Sequence, residues 1–226
     1  MNTSFVRSFA LAMLGAVVVV GSLAAQNPPS GALSAAQVTQ LISRGEPADH
    51  ARLSAHFTAL ADQQAADAKR HMAMQQAYAG SNKAPAVNMV GHCKLLASRS
   101  QESAGSLREL SAYHGNLAGG APAETPRAAA GGGAPSDAEL TRLAAGATTA
   151  ADHRTLETYF TTLAARYDRE AADHAAYAKT WRGLSRVPAA ATQAATHDRV
   201  ATQRRESAAE ARAAATMHKD QAATAK

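Results

Sequence analysis

The residues most able to do chemistry in this chain are its nine histidines and single cysteine, and their spacing is regular. His50 and His71 stand 21 residues apart, as do His153 and His174, His197 and His218, and Cys93 and His114. His92 adjoins Cys93, so either could occupy the position matching His197. Neutral imidazole is a ligand for Zn, Cu, Ni and Fe, and thiol or thioether sulfur favours copper. Repeated donors of these types point to binding or buffering of a transition metal. Asp67 and Glu170, four residues before His71 and His174, could ligate or orient the imidazoles. Met72, Met74 and Met89 add soft donors nearby.

Twenty-one residues make three heptads, so on supercoiled helices both ends of each spacing lie on one face. They are separated by about 30 Å at 1.5 Å per residue. Counting from His50 places Leu53, Phe57, Leu60 and His71 in one apolar stripe, which turns the histidines toward a core. Residues equidistant from the turn of a hairpin sit level. His71 with Cys93 and His50 with His114 share one midpoint, and His174 with His197 and His153 with His218 share another. The expectation is two layers. His71, His92 or Cys93, His174 and His197 would lie near the turns, with Asp67, Glu170 and Met89 as further ligands. His50, His114, His153 and His218 would form a second metal layer near the open ends.

The elements needed to position these groups are helices. Alanine supplies 59 residues, aromatics only 4%, and alanine combines the highest helix propensity with the smallest apolar side chain. That composition favours closely approaching helices over a thick β-sandwich or doubly wound core. Similar segments recur at offsets of 103 and 104, pairing Leu53 with Leu156, Phe57 with Phe160 and His71 with His174. Each copy reads as a short helix followed by a long helical hairpin. Ser34 with Gln37 and Ser136 with Glu139 have capping-box spacing. The long helices are expected at about 47–79, 85–114, 150–182 and 188–222, with Gly80 and Gly115 as stops. Thus 34–114 and 136–222 form two hairpin repeats joined by a Gly/Pro/Ala-rich linker at 115–135. The expected fold is an all-α antiparallel four-helix bundle, closed within one chain or by dimerisation of hairpins.

Residues 1–25 have the plan of a signal peptide: Arg7, an apolar run of 12 residues from Phe9 to Val20, then small residues. The run is short of the roughly 20 residues of a membrane span. Cleavage after Ala24 or Ala25 and export to the periplasm or beyond are expected, with an uncleaved anchor the alternative. The net charge of +5 comes from scattered Lys and Arg, a pattern for an envelope surface or protein partner and not for nucleic acid. A lone cysteine in an oxidising compartment is a buried bystander, an intermolecular cross-link or a ligand.

The pattern carried by His50, Leu53, His56, Phe57, His71, Met89, His92, Cys93, Leu96 and His114 resembles a group of small exported, Ala-rich helical bacterial proteins. The second copy has Thr196-His197-Asp198 where the first has His92-Cys93-Lys94. The resemblance implies export and a helical fold, and brings no activity with it. Phosphate loops, nucleophile elbows, HExxH and paired CxxC motifs are missing from the sequence, and the chain reads as a non-enzyme. A b-type haem held by facing histidines is a minor alternative to the metal. A structural or partner-binding envelope module, its histidines capping and packing helices, is the principal one.

Overall fold

A computed structural model describes residues 32–81, 86–120 and 135–225. The expected leader, the central part of the linker and the first hairpin turn lie outside these residues. The described chain is all-helical: α1 (Ala35–Arg44), α2 (Pro47–Ala79), α3 (Ala86–Leu117), α4 (Asp137–Gly146), α5 (Ala150–Gly183) and α6 (Ala190–Thr224). Among the described residues no helix is long and apolar enough to cross a membrane.

Local chemistry sets the helix ends. Ser34 and Gln37 form a reciprocal capping box at α1, while Ser136 accepts from the Glu139 amide at α4. Thr149 and Asp152 make a second complete box at α5. These side chains satisfy amides that lack intrahelical partners. Pro47 begins α2, where its missing N–H costs no helical hydrogen bond. Gly115 differs from its expected role. It lies inside α3, and a Cβ there would meet Ser54 Oγ at 3.4 Å. That is ordinary van der Waals contact, and the turn with positive φ follows later, at Gly119 and Gly120.

α2 pairs with α3 and α5 with α6, giving two hairpins that join through α3 and α6 in a bundle formed within one chain. Serine and alanine line much of that seam: Ser100, Ser103, Ala104, Ser207 and Ala208 are all buried. The opposite side is wider. Among the described residues no Cα of α2 lies within 8 Å of one in α5. Large side chains fill the gap, and α1 and α4 each pack against both long helices there. Val38, Leu41 and Ile42 of α1, and Leu140, Leu143 and Ala144 of α4, supply the apolar cover.

The two hairpins run in opposite senses. Trp181, beside the second hairpin's turn, contacts His114 at the first hairpin's open end. At the other end Tyr78 contacts His218. Two apolar cores result, one around Phe57 and Trp181 and the other around Phe160 and Met89. Small residues oppose large ones within them. Ala211 is fully buried in the core that holds Phe160, so Ala211→Leu is expected to overpack it. A loss of about 1–3 kcal/mol in denaturant unfolding is the expected result; an unchanged midpoint would contradict this packing.

Candidate functional site

The histidines point inward, as their register requires. His71, His114 and His197 have no exposed surface, and His50, His174 and His218 are also buried. The level pairing expected within each hairpin forms for three of four pairs. Nδ1 of His50 lies 2.9 Å from Nδ1 of His114, and the His174–His197 separation is also 2.9 Å. His153 and His218 are 3.3 Å apart at the same atoms. In a neutral pair one Nδ1–H donates and the other Nδ1 accepts. Burial holds His114, His174, His197 and His218 below their ordinary imidazole range, and each also faces another imidazole whose charge would repel its own. Neutral imidazole is also the ligating form.

The expected grouping of the pairs is corrected. Because the hairpins are antiparallel, the turn-side pair of one lies near the open-end pair of the other. Phe57 contacts His114, His174 and His197, while Phe160 contacts His71 and His218. His71 is 14 residues from Phe57 on the same helix, about 21 Å along it. It therefore cannot share a ligand sphere with His174 and His197. His50 and His114 are likewise at the opposite end from His153 and His218. Direct imidazole–imidazole contacts are pairwise within each hairpin, and Phe57 touches both His114 and the His174–His197 pair. Among the described residues no group of three or more His, Cys, Asp or Glu is arranged to hold a metal ion.

His92 and Cys93 separate cleanly. Cys93 is fully buried, and burial pushes its thiol up to about 12. The thiolate needed for nucleophilic or redox chemistry is thus disfavoured, and a cross-link between folded chains is sterically closed. His92 points across to Glu210 on α6, bonding through Nδ1. His71 is buried with neither ring nitrogen hydrogen-bonded among the described residues. Its imidazole is pushed down to about 4, chiefly by desolvation.

Asp67 and Glu170 do not orient imidazoles. Asp67 accepts from Arg70 at 2.8 Å and from Arg166. Glu170 accepts from Gln64 at 3.1 Å and lies 3.7 Å from both Arg166 and Arg204. Arg204 donates to Gln64, Ser103 and the Arg99 carbonyl. Both Arg166 and Arg204 lie over the Tyr167 ring, at 5.1 and 4.7 Å. This charged layer divides the two apolar cores. Of the methionines, Met74 and Met89 are buried, whereas Met72 is partly exposed beside Gln101. The expected three-methionine cluster therefore does not form.

The aromatic spacers are part of the site and were missed as such, although their signal lies in the sequence. Continuing the heptad count gives His50, Phe57, Gln64, His71 and Tyr78 on α2, and His153, Phe160, Tyr167, His174 and Trp181 on α5. Each end of the bundle consequently alternates imidazole with a larger ring. Facing imidazole centroids are 5.1, 5.2 and 5.5 Å apart, spacing that leaves no gap for a porphyrin between them as packed.

One pair also borders a cavity. Its volume is about 80 Å³, and His153, His218, Tyr78, Met89, Leu143 and Gln221 are among its lining residues. Tyr78 Oη lies 3.0 Å from His218 Nε2. Comparison of the chain with protein-family models, curated proteins and solved structures gives no match.

Proposed function

We propose that this is an exported helical-bundle protein that binds or buffers a transition metal through paired core imidazoles. The observation that carries the reading is the threefold recurrence of imidazole pairs with facing Nδ1 atoms, two of them buried and the third, His153–His218, half-buried. Such positions are costly for a purely structural core. The Nε2 atoms of His114 and His197, and both ring nitrogens of His71, have no hydrogen-bond partner among the described residues. Each unsatisfied buried polar group costs about 1–3 kcal/mol, whereas leucine or alanine would pack these sites without that cost. Metal binding supplies a reason for retaining imidazole, and its ligands are required in the neutral form that burial favours.

The second reading is a structural or partner-binding envelope module. It is favoured by the 2.9 Å separation in two pairs, a hydrogen-bond distance. Metal–nitrogen bonds of about 2.0–2.1 Å require roughly 3.3 Å between two tetrahedral ligands, so those rings would have to part to admit an ion.

The test uses the mature chain purified without a His tag. Anaerobic titration with Cu(I), and separate titrations with Zn(II), Ni(II) and Fe(II), are expected to reveal stoichiometric uptake of at least one ion and a raised Tm. Protein that binds none of them and gains no thermal stability would overturn the metal reading in favour of the structural module. A Soret band in the purified protein would do so in favour of haem.

A further inference from the structure

We propose that the His153–His218 pair and Met89 form a three-coordinate Cu(I) site at the cavity beside α4. This inference rests on the metal-binding reading and assigns its ion and place. Four observations separate this pair from the other two. Its 3.3 Å Nδ1–Nδ1 distance matches two nitrogens bound to one ion at a bent angle, roughly that of tetrahedral ligands. A bent pair leaves room for another ligand on its open side.

The cavity supplies both that room and a candidate donor. His153, His218 and Met89 line the same space, which places two imidazole side chains and a thioether side chain around one cavity. Thioether sulfur selects Cu(I) over harder ions. Neither His50–His114 nor His174–His197 is accompanied by a methionine in its apolar cluster. The cavity is not sealed within the bundle, and Ser81 and Gln221 contribute to its rim.

Tyr78 completes the arrangement. Its hydroxyl contacts His218 Nε2 at 3.0 Å. When Nε2–H donates to that oxygen, the Nδ1 lone pair is left for the ion, the usual way a second partner fixes a ligating histidine. Tyr78 is thus a positioning residue. His218 is held from the other side by Phe160, whose ring stacks at 5.8 Å with a 10° interplanar angle. The donor set is therefore two imidazole nitrogens and one thioether, with phenol and phenyl groups orienting one imidazole.

The experiment measures Cu(I) affinity by anaerobic competition with a chromophoric chelator, together with X-ray absorption at the copper edge. Wild-type protein is expected to show nitrogen ligands and one sulfur scatterer. Met89→Leu conserves volume and should keep the fold. It is expected to remove the sulfur scatterer and to weaken Cu(I) binding about tenfold or more. Cys93→Ala is expected to leave both unchanged, and Tyr78→Phe to weaken binding while retaining the sulfur. Stoichiometric copper with nitrogen-only coordination, or a sulfur that disappears in Cys93→Ala, would overturn this site while leaving metal binding intact. Failure to bind any metal would overturn both.

Discussion

Metal-free protein is expected to lose stability steeply as pH falls from about 6.5 to 4. His56 and His71 are buried, and desolvation pushes each imidazole down to about 4. In the unfolded chain they titrate near 6.5. The folded state therefore keeps them neutral where the unfolded state takes up protons. Their contribution is fully present above pH 6.5, declines as pH falls, and levels off once the folded groups titrate near 4. Each can contribute on the order of 3 kcal/mol over this interval. Burial also lowers His50, His114, His174, His197 and His218. These shifts act in the same direction and add to the loss of stability at low pH.

Around His71 the opposing charges are explicit: Asp67 favours its protonation, while Arg70, Arg166 and Arg204 oppose it. The Tyr159 and Phe160 rings also face it. Thermal melts at pH 7.5, 5.5 and 4.5 should show a large downward progression. A His71→Leu variant should have a shallower pH slope whatever its absolute stability. Melting temperatures independent of pH would contradict a neutral imidazole core.

Asp67→Ala is expected to cost about 3–5 kcal/mol, because it leaves the buried Arg166 guanidinium without its closest carboxylate. Glu170 is only a partial substitute at 3.7 Å. The companion variant is Asp67→Leu with Arg166→Met, which removes both charges and should recover much of the loss. Denaturant unfolding distinguishes the two outcomes. A single substitution as mild as the double would show that this ion pair is not desolvated as the packing requires.

Much of this architecture was legible from the sequence, for identifiable reasons. Heptad spacing set the inward face of His50, His71, His153 and His174. Distance from each hairpin turn set the partners His50–His114 and His174–His197. The sense in which one hairpin docks on the other was not encoded by either relation. A linker at 115–135 can span either arrangement, and the choice depends on which ring covers which end. Trp181 over His114 and Tyr78 against His218 make that choice visible in three dimensions. The roles of Asp67 and Glu170 failed for a related reason. Their i+4 relation to histidine was counted along one helix, while Arg166 and Arg204 reach them from other positions in the folded bundle. The Glu170–Arg204 proximity was nevertheless predictable from hairpin register.

The short helices carry a final consequence. Each contacts the long helix that opens the opposite hairpin as well as the one that follows it directly. Neither half of the chain can therefore shelter its own apolar arm in full. Two identical single-hairpin chains could satisfy the same geometry only by exchanging arms, embracing as a reciprocal dimer. In the present chain the linker makes that embrace intramolecular, so the complete enclosure no longer depends on protein concentration.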